Sequence, residues 1–168
     1  KEKKQNHTPA VKFDHVTFTY AGAGAPSLKD ISFQAMPGET IGIIGGTGSG
    51  KSTLVSLIPR FYDPQDGQVY MDGENVTEYT RKSIGEKVGI VQQRSVLFQG
   101  SIRDNLKWGD ENATDEDIWK AIEIAQAKEV VEGKPGKLDF QLEQNGRNLS
   151  GGQKQRLTIA RALVKKPE

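Results

Sequence analysis

The sequence predicts an α/β fold, and three observations support this prediction. Short segments of alternating apolar and polar residues near the N-terminus are typical of half-buried strands. A continuous apolar run at 40–44 leads into a glycine-rich loop and then a helical pattern, as in a parallel strand followed by a helix. The C-terminal half carries two apolar stripes at helical spacing, each preceded by a polar residue that can begin a helix.

The first predicted elements are two antiparallel strands. Residues 21–27 between them are small and contain glycine and proline, and Pro37-Gly38 ends the second strand with a turn. The apolar positions that alternate with polar ones are Val16, Phe18 and Tyr20 in the first strand and Ile31, Phe33 and Ala35 in the second.

The central part of the chain predicts three further strands and a helix. The apolar runs at 40–44 and 88–91 indicate strands buried on both faces. Residues 51–58 predict a helix that ends near a proline. Val69 and Met71 predict a short strand, which the dipeptide Asp72-Gly73 closes with a turn.

The C-terminal half predicts two longer helices. Thr114, followed by an acidic run, is typical of a helix N-terminus, and the apolar stripe Ile118, Ala121, Ile122 and Ala125 predicts a helix to about Val130. Lys128 lies near its C-terminal end, where a positive charge is favourable. Ser150 predicts the start of a last helix, which Pro167 stops.

Composition excludes several classes of protein. With 23 Lys and Arg against 22 Asp and Glu, the net charge of +1 does not favour nucleic acid as a partner. The absence of cysteine excludes disulfide scaffolds, thiolate zinc sites and thiol nucleophiles. Glycine accounts for 19 of the 168 residues, about 11%, against an average share of roughly 7%. The excess glycines concentrate in two clusters.

The first glycine cluster matches G-x-x-x-x-G-K-[ST], between a predicted strand and a predicted helix. Glycines let backbone N–H groups surround phosphate oxygens, and the following helix adds its positive end. We expect Lys51 to reach the β- and γ-phosphates, Ser52 to bind Mg²⁺ and Thr53 to lie near the α-phosphate. The alternative is a glycine-rich turn that binds nothing. The motif comprises Gly45, Gly46, Thr47, Gly48, Ser49, Gly50, Lys51 and Ser52.

The second glycine cluster, Leu149–Gln153, reads Leu-Ser-Gly-Gly-Gln. It places a serine N-cap and two glycines at a helix start, which is also what an ordinary capped helix looks like. Continued by Lys-Gln-Arg-Leu, it resembles the signature motif of ATP-binding-cassette (ABC) transporters, and the resemblance runs from about Val11 to the C-terminus. In that family the signature contacts ATP, which implies binding roles for Ser150, Gly151, Gly152 and Gln153.

The resemblance implies a more specific fold: a P-loop NTPase (RecA-like) core with an antiparallel β subdomain and an α-helical signature subdomain, the C-terminal core strands being absent. It also implies a division of the chain into four parts. These are a linker from a transmembrane domain at 1–10, the β subdomain with the P-loop core at 11–94, the helical subdomain at 95–150 and the signature helix at 151–168.

Two further residues fall into the family's order. Tyr20 resembles the aromatic residue that stacks on adenine, and its alternative is a buried strand aromatic. Gln93 resembles the Q-loop glutamine that contacts Mg²⁺, so it joins Lys51 as a catalytic candidate and Ser52 as a metal-ligand candidate. Gln92 is the competing register, and an ordinary loop glutamine is the other alternative.

Two segments resemble exporters in particular. Leu97-Phe98 with residues 101–106 looks like the exporter form of the segment after the Q-loop, although it also fits a hydrophobic anchor and helix start. Residues 142–147 lie where exporters carry a loop that contacts the transmembrane domain, and Asn145 departs from the family's usual small residue.

The resemblance therefore implies the ATP-binding domain of an ABC exporter at the cytoplasmic face of the plasma membrane, with ATP and Mg²⁺ as cofactors. Its expected partners are a transmembrane domain and a second nucleotide-binding domain, identical or different, that sandwiches two ATP molecules head to tail; no nucleic acid is expected.

In the family, the Mg²⁺ aspartate, the catalytic glutamate and the switch histidine come at positions that would follow Glu168. We therefore expect the 168 residues of this chain to bind nucleotide without hydrolysing it. One alternative is a non-enzymatic, nucleotide-regulated interaction module. Another is a P-loop kinase or DNA-linked ATPase, which the signature disfavours. An isolated piece is expected to pair its open sheet edges with another copy.

Overall fold

The computed structural model describes residues 8–167, which form two compact units divided between Gly85 and Glu86. Residues 1–7 of the predicted linker, like Glu168, lie outside the described residues. The four-part division expected from the sequence remains a prediction.

The first unit is built on a four-stranded antiparallel sheet. Strands β1 (Val11–Phe18) and β2 (Leu28–Ala35) pair antiparallel, as predicted, with Val11 opposite Ala35. Alternation directs Val16 and Phe18 of β1 into the core, and a register shift between Phe13 and Val16, where His15 has φ 49°, allows Phe13 to be buried as well. Phe13 also stacks on Phe33 across the pair, with ring centroids 4.7 Å apart, so apolar cross-strand contact fixes the register.

A hairpin completes this sheet. Strand β3 (Asp66–Met71) lies beside β1 and turns into the short β4 (Glu74–Asn75), giving the order β2-β1-β3-β4. The predicted turn is confirmed: Asp72 has φ 50° and Gly73 has φ 85°. Two consecutive positive φ values match the twist of a tight hairpin, which explains the Asp-Gly pair.

Two helices follow the sheet strands in sequence. Helix α1 (Lys51–Leu57) is the predicted helix after the glycine-rich loop, and it buries Leu57 completely. Helix α2 (Arg81–Lys87) lies at the boundary of the units and was not predicted. Its signal was the Thr80 hydroxyl, which accepts a hydrogen bond from the Ser83 backbone N–H at 3.1 Å.

The predicted strands at 40–44 and 88–91 are wrong for the described residues. Neither segment is a strand or pairs with one there. Ile44 is 98% exposed and Ile90 is 43% exposed, so apolar character did not lead to burial. A strand requires a hydrogen-bonded neighbour, and an apolar run identifies a candidate strand without supplying that neighbour.

The second unit is helical. Helices α3 (Ile102–Lys107), α4 (Asp115–Ile124), α5 (Lys128–Glu132) and α6 (Gly151–Val164) surround one apolar core, in which α6 packs against α3 and α4. The strands β5 (Gly100–Ser101) and β6 (Gln141–Leu142) form a small antiparallel pair beside them. Fully buried members of the core include Leu97, Ile102, Leu106, Ile118, Ile122 and Ala160.

The predicted helix starts are confirmed, and one predicted end is wrong. Thr114 and Ser150 each cap their helix through a reciprocal side chain–backbone capping box. Helix α4, however, ends at Ile124 and not at Val130, because Gln126 adopts a left-handed φ of 57°. Lys128 therefore begins α5 instead of ending α4.

The Asp117 carboxylate gives this unit a pH-dependent contribution to stability. Its bonds to the Lys166 ammonium and then to Thr114 lower the pKa of Asp117 from 3.8 to about 2. Because folding lowers this pKa, the ionised carboxylate stabilises the folded chain at pH values above its ordinary pKa of 3.8. This stability is lost as the pH falls toward 2.

We expect Asp117→Asn to reduce the loss of unfolding free energy between about pH 5 and pH 2, because the variant has no carboxylate to protonate at this position. Urea unfolding at both pH values measures the difference. Glu116→Gln, which removes the adjacent carboxylate in the same helical turn, is the control. An Asp117→Asn chain with the wild-type pH dependence would contradict the assignment.

Candidate functional site

The glycine-rich loop, residues 45–50, is shaped by backbone conformations that favour glycine. Gly50 precedes α1 with φ 90°, and a Cβ there would lie 2.6 Å from the carbonyl oxygen of Ser27. A side chain at this position is thus excluded by conformation and by space. Because Gly50 has no side chain, the backbone of the loop can lie against the Ser27 carbonyl where α1 begins.

The Lys51 ammonium lies over this loop. Its Nζ donates to the carbonyl oxygens of Gly45 and Gly46 at 2.6 and 2.8 Å, and to the Ser49 hydroxyl at 3.3 Å. The loop curls so tightly that a Cβ on Gly45 would lie 2.4 Å from the Ser49 Oγ. The positive charge is therefore held among the peptide groups that the sequence assigns to phosphate binding.

A pocket of about 270 Å³ opens at this point, lined by Tyr20, Ser27 and residues 48–53. Among these lining residues Lys51 is the one with a charged side chain, and the Ser52 hydroxyl is exposed. The N–H groups in the first turn of a helix have no partner within the helix. A cation, hydroxyls and backbone donors in one concave site favour an anion.

Tyr20 lies at the edge of this pocket, just after β1 ends. Its hydroxyl is 2.9 Å from the Thr53 Oγ1, while its ring meets Phe18 and Tyr62 edge-on at centroid distances of 4.9 and 5.3 Å. The half-buried ring belongs to an aromatic cluster and also lines the pocket, so both sequence interpretations have a structural counterpart. Its contact with adenine remains a prediction.

The predicted signature residues form the start of α6 in the second unit. The Ser150 hydroxyl accepts from the Gln153 backbone N–H at 3.3 Å, and the Gln153 side-chain oxygen accepts from the Ser150 N–H at 3.1 Å. Gly151 and Gly152 are exposed, and a Cβ on either would meet open space. Packing within this unit therefore does not explain the two glycines.

Gln93 is exposed and lies in an irregular segment of the second unit, as does Gln92. The structure thus brings together Tyr20 and the loop residues through Thr53 in the first unit. Gln93 and the residues of the α6 start belong to the other unit and do not line the 270 Å³ pocket. The choice between Gln93 and Gln92 remains a prediction.

Comparison with known proteins identifies the family. The pattern of the ABC transporter family matches residues 28–168. This chain belongs to the ABC transporter family. Its fold is accordingly the P-loop NTPase fold of ABC proteins, with the antiparallel sheet and the helices described above.

Two curated relatives and one solved structure illustrate the match. An uncharacterized ABC transporter ATP-binding protein, YfiB of Bacillus subtilis, is 46% identical, and the alignment covers 94% of this chain and 27% of the relative. A beta-(1→2)glucan export ATP-binding/permease protein, NdvA of Rhodopseudomonas palustris, is 45% identical over 94% of this chain and 26% of its own. The structure of a bacterial Atm1-family ABC exporter with ATP bound gives a TM-score of 0.88 at 37% identity. It covers 96% of this chain and 28% of the exporter, so the ABC chain spans about a quarter of the length of these proteins.

The exporter-like segment of this ABC chain presents an exposed aromatic pair. Leu97 is buried, whereas Phe98 stacks on Trp108 at 4.7 Å, and Trp108 is 71% exposed. The Arg161 guanidinium lies 5.8 Å from the Phe98 ring centre, and burial lowers the pKa of Arg161.

Asn145, the departure from the family pattern, adopts a left-handed φ of 56°. Among residues 8–167, no helix is long and apolar enough to cross a bilayer.

Two features of the ABC site were not predicted from the sequence. Ser27 supplies the carbonyl against which Gly50 packs, and nothing in its loop sequence signals that contact. Tyr62 joins Tyr20 in the aromatic cluster although 42 positions separate them in the chain. Both contacts link segments that are distant in sequence, which local patterns do not report.

The close approach of Gly50 to Ser27 leads to a stability prediction. Gly22→Ala introduces alanine at φ 80° into open space and should cost about 1–2 kcal/mol of unfolding free energy. We expect Gly50→Ala to cost more, because its Cβ would also meet the Ser27 oxygen. Urea denaturation of the two variants measures this, and equal losses would contradict the steric role of Gly50.

Proposed function

We propose that this chain is the ATP-binding domain of an ABC exporter. The observation that carries the proposal is the pocket in which Lys51, the glycine-rich loop and Tyr20 meet, in a chain of the ABC transporter family. The phosphates bind to the loop N–H groups and to Lys51, with Thr53 near the α-phosphate. The adenine stacks on Tyr20.

Mg²⁺ fits this site through its donor chemistry. Ser52 is exposed in the first turn of α1, and its hydroxyl is a hard oxygen donor of the kind Mg²⁺ prefers. The amide oxygen of Gln93, which is also exposed, is a donor of the same kind. The ion would offset phosphate charge, while Lys51 holds the β- and γ-phosphates. Gln93 then serves as a catalytic residue beside the γ-phosphate.

We further propose a head-to-tail partnership with a second nucleotide-binding domain, identical or different. The exposed start of α6 supports this, because Gly151 and Gly152 leave backbone N–H groups open above the capped helix end. In the dimer Ser150, Gly152 and Gln153 of one copy contact the ATP held by the Lys51 loop of the other.

The name of the relative NdvA, an export ATP-binding/permease protein, supports a transmembrane domain as the other partner. The ATP-binding domain formed by this chain then lies at the cytoplasmic face of the plasma membrane. ATP binding closes the dimer and hydrolysis reopens it, and this cycle drives the export of a substrate. Phe98, in one of the two segments that resemble exporters, stacks on the exposed Trp108.

Calorimetric titration of ATP, with and without Mg²⁺, tests nucleotide binding directly. Lys51→Ala should weaken ATP binding about tenfold to a hundredfold, since it removes charge-assisted hydrogen bonds to the phosphates. Lys82→Ala, which removes an exposed lysine outside the pocket, is the matched control. Equal affinities of the two variants would exclude the loop as the phosphate site.

We expect the 168-residue chain to bind ATP without turnover. None of the described residues that line the pocket is a carboxylate, so these residues supply no general base to activate water. A continuous phosphate-release assay should stay at the level of the Lys51→Ala variant. Release above that level, lost in Lys51→Ala, would show that these residues hydrolyse ATP unaided.

A further inference from the structure

A hydrogen bond joins Tyr20 and Thr53, two residues that line the pocket. The Tyr20 hydroxyl and the Thr53 Oγ1 lie 2.9 Å apart, and both residues line the pocket. Thr53 is only 6% exposed, whereas the pocket opens beside it. The phenol therefore contacts the very hydroxyl that the sequence assigns to phosphate binding.

The direction of this bond determines what Thr53 can do. Each hydroxyl carries one proton and two lone pairs. The hydrogen bond between Tyr20 and Thr53 uses the proton of one hydroxyl, so the proton of the other hydroxyl is left to donate elsewhere. A phenol is a stronger acid than an aliphatic alcohol and is the better donor. With Tyr20 as donor, the Thr53 proton is left to donate to a phosphate oxygen, and the two hydrogen bonds strengthen each other.

The position of the Tyr20 hydroxyl is fixed by protein contacts alone. Edge-on contacts with Phe18 and Tyr62 hold its ring, and Phe18 is buried as the last residue of β1. Thr53 is fixed in the first turn of α1. A donor held by aromatic contacts and an acceptor held in a helix make a preorganised pair, which loses little entropy when an anion binds.

We propose that Tyr20 is a positioning residue for phosphate, acting through the Thr53 hydroxyl, in addition to any contact with a base. This inference rests on the proposed ATP site. Its distinguishing consequence is that the Tyr20 hydroxyl contributes to the binding of a ligand that has phosphates and no base.

Inorganic triphosphate is the probe, titrated by calorimetry into the full 168-residue chain beside ATP. Tyr20→Phe keeps the ring and removes the hydroxyl, and it should weaken triphosphate binding about threefold to tenfold. Thr53→Val should weaken it at least as much. The double variant should bind no more weakly than Thr53→Val, because the phenol acts only through Thr53.

Two controls separate positioning from folding. Tyr79→Phe removes another tyrosine hydroxyl, which donates to the Met71 carbonyl at 3.0 Å outside the pocket, and should bind triphosphate within about twofold of wild type. Thr53→Ser retains a hydroxyl and should restore most of the affinity lost in Thr53→Val. If Thr53→Val fails to fold, the comparison of Tyr20→Phe with Tyr79→Phe still decides.

Tyr20→Phe with wild-type affinity for triphosphate would overturn the inference, and so would additive losses in the double variant. A wild-type chain that binds ATP but not triphosphate would also overturn it, while leaving the ATP site intact. A wild-type chain that binds neither ligand would instead overturn the proposed function itself.

Discussion

The close approach of Gly50 to the Ser27 carbonyl, which a single Cβ would prevent, is the constraint on which the site depends. It allows α1 to begin at Lys51, and the first turn of that helix then presents Ser52 to solvent and Thr53 to Tyr20. The same turn directs the Lys51 ammonium back over the loop carbonyls. A steric condition on one glycine thus determines the position of the cation and of both hydroxyls.

In the second unit, capping boxes determine where three of the helices begin. Ser101, Thr114 and Ser150 each begin a helix with a reciprocal capping box, so three helix starts are fixed by short-range hydrogen bonds. At Ser150 the capping box uses the same residues that identify the family. The capping serves the fold of this unit, whereas packing within the unit does not explain the two exposed glycines beside it.

Local signals account for the parts of the structure that the sequence predicted. The strands β1 and β2, the Asp72-Gly73 turn and the capped starts of α4 and α6 depend on alternation, backbone conformation or hydrogen bonds within a few residues. The errors share a different cause. Residues 40–44 needed a neighbouring strand, and the end of α4 depended on one left-handed residue. The Tyr20–Thr53 bond spans 33 positions, so the residues were predictable as candidates but their hydrogen bond was not.

The division into two units has a spectroscopic consequence. All four tyrosines of the chain lie before residue 86, and both tryptophans, Trp108 and Trp119, lie after it. Tryptophan emission, excited at its red edge, therefore reports on the helical unit alone, and tyrosine absorbance is confined to the unit that holds the Lys51 pocket. The chain thus carries a separate intrinsic chromophore for each half, and the order in which the halves lose structure can be read without any added label.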